Sequence, residues 1–389
     1  MRTQVAIIGG GPSGLLLSQI LMRHGIETVV LERHTREHVL SRIRAGVLEW
    51  GSVEMLRAAG IGARMDAEGE IHRGVAIGDD NRQFRIDFDT LVGKAVMIYG
   101  QTEITKDLYA AQDALGATIV TEAADVALAD LDAGAATVTY RKDGREHGLV
   151  ADFVIGCDGF HGVSRPTIPA GRRQEYEVVF PFSWLGVLSE TPPVADELIY
   201  ASHPRGFALA SMRNRHLSRY YLQIPNGEPI EAWPDTLFWD ELRRRLPADA
   251  AGRLVTGPSI EKSIAPLRSF VCEPMRYGRL LLVGDAAHIV PPTGAKGLNL
   301  AISDVHYASE ALIAHFRHRD DRLLEEYSDT TLKRVWKAMR FSWWMTNTVH
   351  RFADHDPFQQ MMQKTEIDYL EGSIAAKTAL AENYTGLPY

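Results

Sequence analysis

Only two cysteines occur in 389 residues, Cys157 and Cys272, and no CxxC spacing joins them. Such scarcity argues against a disulfide framework and against a structural zinc site, so no metal is expected. Positive charge is short as well. The 42 Lys and Arg stand against 50 Asp and Glu, a formal net charge of -8, which argues against a nucleic-acid surface. No apolar run reaches the roughly 18 residues of a membrane span, and no charged leader precedes the first strand-like run at Thr3. The expectation is a cytoplasmic protein of small-molecule chemistry, with neither a nucleic-acid nor a membrane partner. Internal repeats and low-complexity tracts are missing too, and a chain of this length predicts two domains.

What is present is concentrated in glycine-bearing turns at the ends of strands. Gln4-Val5-Ala6-Ile7-Ile8 reads as a buried strand, and Gly9-Gly10-Gly11-Pro12-Ser13-Gly14 follows it as GxGxxG. Leu15 to His24 reads as a helix closed by Gly25, and Thr28 to Leu31 as a second strand ending at Glu32. In that order Gly9 makes the tight turn, Gly11 admits a pyrophosphate, and Gly14 lets helix and strand approach; the acid 18 residues beyond Gly14 is placed for a ribose diol. GxGxxG alone is a weak signal, but within strand, loop, helix, strand and acid it predicts dinucleotide binding.

Two further turns are of the same kind. Leu280 to Val283 is a short apolar strand delivering Gly284-Asp285; Pro291-Pro292 then imposes an extended approach, and Gly294 and Gly297 allow close backbone contact before a helix near Leu298. Asp285 is there for a ligand hydroxyl, though the same letters suit a plain strand-to-helix turn. Phe153 to Gly156 delivers Cys157-Asp158-Gly159-Phe160-His161-Gly162, with Cys157 read as a small buried residue rather than a nucleophile. Arg33, His34, Arg36 and His38, followed by Arg42 and Arg44, make a basic cluster ahead of a helix expected over Val47 to Ala59. It suits phosphates, or equally a solvated edge.

Ala117 to Thr121 and Ala136 to Arg141 are expected in a small antiparallel sheet, after Gly100-Gln101-Thr102 and a helix from there to about Leu115. Beyond Pro181 strands dominate: Glu197 to Ala201, Phe207 to Arg213 and Ser218 to Ile224. Period-2 alternation puts Ser211 with Arg213 on one face, and Arg219, Tyr221 and Gln223 on one face of the partner strand. If the faces coincide they form a socket for a small carboxylate; otherwise they are the polar outside of a sheet. The last third reads as helices at Leu298 to His315, Leu323 to Val349 and Pro357 to about Leu380. Trp336, Trp343 and Trp344 among basic residues suit packing or a subunit interface.

These motifs together resemble the flavin-dependent aromatic hydroxylases. The likeness covers nearly the whole chain and rests on the GxGxxG strand, Arg42 to Glu49, Cys157 to Gly162, Ser263 to Ser269, the Gly284 to Asn299 block, Arg340 to Trp344 and the terminal Glu382 to Tyr389. It implies an α/β, overall α+β, protein: a Rossmann-like FAD-binding domain over 1–180 with 268–300, a β-rich substrate domain over 181–267, and a helical region over 301–389, usually as a homodimer. It implies 4-hydroxybenzoate converted to 3,4-dihydroxybenzoate with NAD(P)H and O2, by way of a flavin C4a-hydroperoxide.

By the same resemblance, Gly9, Gly11, Ser13, Gly14, Glu32, Arg42, Arg44, Gln101, Asp158, Asp285, Gly297 and Leu298 bind FAD. Arg219 and Asn299 help place the flavin, and Lys296 favours its reduced anion. Ser211, Arg213 and Tyr221 hold the substrate carboxylate, Tyr200 faces the phenol, Tyr384 and His72 continue a proton path, and Pro292 lines the ring site. Arg33, His34, His38, His161, Arg165 and Arg268 receive the nicotinamide nucleotide. NADPH-preferring members commonly carry Arg-Gln-Thr where this chain has Arg33-His34-Thr35, and Glu37 would repel a 2′-phosphate, so NADH remains an alternative reductant. Other readings of the fold are a hydroxylase of 3-hydroxybenzoate or an aminobenzoate, or a non-catalytic FAD-binding sensor.

Overall fold

The computed structural model describes residues 1–41, 46–80 and 82–389. Its first eight-stranded sheet is built on parallel neighbours: Leu280–Leu282, Arg145–Gly156, Arg2–Ile8, Thr28–Leu31 and Thr118–Val120 follow one another across it. Thr28–Leu31 and Leu280–Leu282 are buried throughout and Arg2–Ile8 along most of its length, as parallel strands covered on both faces are, whereas Arg145–Gly156 is buried mainly towards Gly156. Register brings their carboxyl ends level, since Ile8 lies opposite both Leu31 and Gly156, and Gly156 opposite Leu282. The turns that begin at Gly9, Glu32, Cys157 and Val283 therefore open on one edge, where α/β sheets bind ligands.

The second sheet is largely antiparallel and also has eight strands: His288–Ile289, Ser259–Glu273, Gln174–Ser189, Leu217–Pro225, Ala208–Asn214, Ile199–Ser202, Gly74–Asp79 and Arg82–Asp87 in order. One face packs under the helix Asp235–Arg245 through Ala208, Ala210, Tyr220 and Leu222. The other packs Trp184, Tyr200, Phe207 and Leu209 against Phe341, Met345 and Tyr384 of the carboxy-terminal helices.

Several expectations needed correction. Val47–Leu48 is a strand paired with Met97 and Ile98, and the helix starts only at Trp50, because Asn299 Oδ1 captures the Glu49 N–H at 2.9 Å. Thr118–Val120 joins the parallel sheet beside Val29–Leu31 after the crossover helix Gln101–Leu115, and Ala136–Lys142 pairs with Arg145–Ala151 of the same sheet; there is no separate small sheet for them. The final helix divides into Pro357–Gly372 and Ile374–Thr385, with Ser373 Oγ capping the second by accepting from the Ala376 N–H. Gly74–Asp79 and Arg82–Asp87 belong to the second sheet although they precede residue 180. Among the described residues no helix is long and apolar enough to cross a membrane.

Candidate active site

The edge where the parallel strands stop is shaped by what its side chains leave open. Gly9 has φ 110°, and a Cβ there would stand 2.3 Å from the Cys157 carbonyl oxygen, so the turn requires glycine. Gly14 sits against the Gly9 carbonyl, while Gly11 has open space at its Cβ position. The helix Pro12–Arg23 begins there with no side-chain cap and no acid in its first turn, leaving its end favourable to an anion. Cys157 lies buried beside this turn, and burial pushes its thiol far up and keeps it inert. Glu32 is buried, its two oxygens accepting from the Gly10 N–H at 2.7 Å and the His34 N–H at 2.8 Å.

On the neighbouring turns, Asp158 Oδ2 accepts from both the N–H and the hydroxyl of Ser164 at 2.9 Å, whereas its buried Oδ1 has no protein partner. Burial raises that carboxyl despite these donors. Gln101 starts its helix beside Gly100, where space is again open. Asp285 is exposed between buried Gly284 and Ala286, and the turn is held from behind by Asp304 Oδ2, which is 2.7 Å from both the Gly284 nitrogen and His288 Nε2. Arg42 and Arg44 lie outside the described residues.

The helix Gly297–Ile313 starts without a side-chain cap and with open space at Gly297; Leu298 is half-buried, and Pro292 is exposed between buried Pro291 and Thr293. Gly294 serves a different purpose from the one expected, fitting under Phe341 and Ser342. Lys296 is not aimed at open space. Its Nζ lies 2.6 Å from Glu49 Oε1 and also donates to the carbonyls of Asn383 and Tyr384. Arg334 reaches the other oxygen of Glu49 at 2.9 Å, so one carboxylate faces two basic side chains in a buried triad at the helix start. Burial lowers the Lys296 ammonium, with Glu49 opposing. Asn299 spends its amide on Glu49, Val47 and Ala295, fixing loop to helix.

On the second sheet the two polar faces do coincide. Gly186, Tyr221, Leu209 and Tyr200 are successive cross-strand partners, which puts all four on one side of the sheet in one row. Arg213 stands beside Tyr221, and its buried Nε has no protein acceptor. Burial lowers the guanidinium further than Tyr221 can raise it. Arg219 is already committed to Glu261 at 2.7 Å and Ser263 at 3.0 Å, and lies 5.0 Å from the Tyr221 ring. Burial alone would raise the Tyr221 phenol, yet Arg219 and Arg213 together pull it below its ordinary value. Ser211 donates to the Arg219 carbonyl at 2.7 Å, leaving only its lone pairs for another group.

At the other end of the row Tyr200 Oη and Tyr384 Oη are 2.9 Å apart. Both phenols are raised, Tyr200 by burial and then by Tyr384, and Tyr384 to about 12 by burial. His72 is buried on the strand Glu70–His72 with neither ring nitrogen hydrogen-bonded, and burial outweighs Glu197 and Glu70 to lower it.

The residues expected to receive the nucleotide form two groups. His161, Arg165 and Arg268 surround Phe160: the His161 ring packs edge-on at 5.0 Å, and the guanidiniums lie 4.5 and 4.9 Å from its centroid. Arg33 Nε donates to His34 Nε2 at 3.1 Å, and the His34 and His38 rings stack at 4.1 Å. Arg36 is taken up by Asp113 at 2.7 Å and by the Tyr109 ring.

A model of the FAD binding domain matches residues 2–342. The chain belongs to this FAD-binding family. It is 51% identical to the p-hydroxybenzoate hydroxylase of Acinetobacter baylyi, over all of this chain and 96% of that one. It is 28% identical to aklavinone 12-hydroxylase of Streptomyces peucetius, over 83% of this chain and 70% of that one. In fold it is similar to the p-nitrophenol 4-monooxygenase of Pseudomonas putida, with a TM-score of 0.85 over the whole of both chains at 18% identity. The chain is thus an FAD-dependent aromatic hydroxylase that takes electrons from NAD(P)H and oxygen from O2.

Its own geometry fits the flavin nucleotide. The room at Gly11, the uncapped helix start, the buried ribose-ready acid at Glu32 and the orphan Asp158 Oδ1 are what a dinucleotide of this family asks for. Sequence reasoning gave no task to Glu49, Arg334, Trp184 or Glu261. Glu49 and Arg334 are 285 positions apart, and no local spacing signals that they meet.

Proposed function

We propose that this hydroxylase acts on 4-hydroxybenzoate, placing a hydroxyl at carbon 3 to give 3,4-dihydroxybenzoate. The observation that carries the reading is the row from Tyr221 to Tyr200. Their strands are two apart, roughly 10 Å at the spacing of a sheet, with Leu209 between them as an apolar floor. One end offers the unpartnered Arg213 Nε beside Tyr221, and the other offers a buried pair of phenols. A single ring bearing a carboxylate and a para hydroxyl matches both ends; a meta hydroxyl or an amine does not match the second.

FAD, when bound, supplies the oxidising chemistry. Arg213 and Tyr221 anchor the carboxylate, and Ser211 adds a donor when its hydroxyl turns from the Arg219 carbonyl to the substrate. Tyr200 takes the phenol proton as it passes its own to Tyr384, and His72, reached through water, is the outer acceptor. With their phenols raised, both tyrosines stay neutral at rest and work as a relay. Deprotonation makes carbon 3 more nucleophilic. Asp285, Gln101, Gly297 and Leu298 hold the flavin's sugar-alcohol chain and ring edge, Pro292 closes the ring site, and the two basic side chains of the Lys296, Glu49 and Arg334 triad favour a reduced, anionic ring. Arg42 and Arg44 are proposed for the pyrophosphate. His161, Arg165 and Arg268, with Arg33, His34 and His38, receive NADPH, with NADH as the alternative.

We place the enzyme in the cytoplasm as a homodimer. Tyr176, Val178, Trp336, Met339 and Trp343 line one apolar groove, Val178 and Trp343 being about half exposed, which is the kind of surface subunits cover. Sedimentation at micromolar concentration tests the dimer. The function is tested by NAD(P)H oxidation with and without 4-hydroxybenzoate, quantifying 3,4-dihydroxybenzoate. Faster and better-coupled turnover with 3-hydroxybenzoate or 4-aminobenzoate overturns the assignment.

A further inference from the structure

Behind Tyr221 lies a buried histidine that the reaction does not touch. Trp184 Nε1 donates to His350 Nε2 at 2.7 Å, and His350 Nδ1 lies 3.0 Å from the Thr346 carbonyl oxygen. Both partners dictate the ring's protons: a carbonyl only accepts and an indole N–H only donates, so His350 carries its proton on Nδ1 and none on Nε2. The ring is fully buried, stacked on Phe182 at 4.7 Å and 4°, and 4.3 Å from Phe207. Its rotation is therefore fixed by two hydrogen bonds and two aromatic walls. Trp184 in turn packs on Tyr221, ring centroids 4.9 Å apart. Gly186, the direct cross-strand partner of Tyr221, leaves the space that ring needs, since a Cβ there would come within 2.8 Å of both Tyr221 Cε1 and Arg219 Nη2.

The other side of the same chain reaches the cofactor half. Thr346 donates its hydroxyl to the Ser342 carbonyl at 2.8 Å, so the 2.9 Å contact with Thr293 is a donation from Thr293. Thr293 follows Pro292 in the turn ahead of the Gly297 helix. One helix, Arg322–Val349, and the residue after it thus connect that turn to the wall of the carboxylate socket.

We propose that His350 is a positioning residue for substrate selection: through Trp184 it sets the Tyr221 ring, and so the carboxylate socket with Arg213. The proposal rests on the carboxylate assignment made above. Its chemistry is recognition of an anionic aromatic acid over a neutral ring of the same shape. Loss of the His350 acceptor frees the indole, widens the Tyr221 orientations and weakens binding of the carboxylate while leaving the phenol end unaltered.

The test uses the FAD-loaded enzyme and flavin absorbance titrations with 4-hydroxybenzoate and with 4-hydroxybenzamide, which keeps the ring and phenol but not the charge. His350→Leu is expected to weaken 4-hydroxybenzoate binding about three- to tenfold, the size of one net hydrogen-bonded contact, and to leave 4-hydroxybenzamide binding unchanged. His350→Gln, whose amide can accept from Trp184 and donate to Thr346, is expected to restore the acid's affinity. Trp184→Phe, which removes the donor, is expected to reproduce the selective loss and to add nothing to His350→Leu; it serves as the readout should the leucine variant not fold. Equal losses for acid and amide, or no loss for the acid in either variant, overturn the proposal. Failure of the wild-type enzyme to prefer acid over amide overturns the carboxylate reading instead.

Discussion

Tyr200 and Tyr384 hold each other by a 2.9 Å hydrogen bond although 184 positions separate them, one on a sheet strand and the other on the last helix. The bond closes the floor of the substrate row and gives a phenol proton somewhere to go. Replacing Tyr200 by Phe keeps the carboxylate anchors and breaks the path. Substrate binding should survive, and product per NADPH consumed should collapse while hydrogen peroxide rises. A barrier increase of about 3 kcal/mol already slows ring attack more than a hundredfold. Product assays against NADPH oxidation decide it, and a variant that stays fully coupled shows that deprotonation does not run through Tyr200.

Arg213 is the socket's unpaired donor, so Arg213→Ala should act mainly on binding. Losing a charge-assisted pair to a desolvated carboxylate costs on the order of 2 to 5 kcal/mol. Titration of the variant with 4-hydroxybenzoate should show that loss, and unchanged affinity removes Arg213 from the site.

Reductant choice should turn on Glu37 rather than on Arg36. Arg36 is already held by Asp113 and Tyr109, whereas Glu37 is exposed, its carboxyl kept low by backbone and Thr35 donors and so charged. Glu37→Gln should raise the NADPH to NADH ratio of kcat/KM by removing like-charge repulsion. Arg36→Ala should leave that ratio where it was. A ratio that responds to Arg36 and ignores Glu37 reverses this account.

The buried His350 also sets a pH dependence of stability. Burial pushes it from an ordinary 6.5 down to about 3, with the Thr346 carbonyl resisting. The folded value lies below the unfolded one, so the unfolded chain binds the proton first; stability is intact above 6.5 and falls as pH drops towards 3. Between pH 7 and 5 the loss is about 2 kcal/mol at most. Urea melts of wild type and His350→Gln at both values check it: the glutamine variant should lose less. Identical slopes would mean that the imidazole is not buried neutral.

Much of the site was legible because the cofactor edge is written in consecutive letters. GxGxxG and Glu32 lie within one strand-helix-strand unit, and Gly284 to Asn299 is a single run. The facing of Ser211 and Arg219 followed from alternation, since a strand's period of two fixes sides once pairing is given, whereas Arg213 sits at a register shift between Met212 and Asn214 that alternation does not report. Contacts between remote elements left no such trace. Lys296 reads from the sequence as free for a flavin, but Glu49 and the carbonyls of Asn383 and Tyr384 take its donors, and the helix expected at Val47 lost its first turn to a strand partner at residue 98 and to Asn299. Local propensity cannot report partners supplied by another part of the chain.

Gly74–Asp79 and Arg82–Asp87 tie the substrate side of the molecule to the cofactor side. Gly74–Asp79 lies parallel to Ile199–Ser202, the strand that bears Tyr200, and Arg82–Asp87 pairs antiparallel beyond it, yet both are spelled inside the stretch that builds the nucleotide fold. The two halves are therefore stitched rather than strung. A fragment limited to 181–267 would leave Ile199–Ser202 as a bare sheet edge beside the substrate row, open to pairing with another chain. Exchanging substrate preference between relatives by transplanting that segment alone would carry the floor of the pocket and leave one of its walls behind.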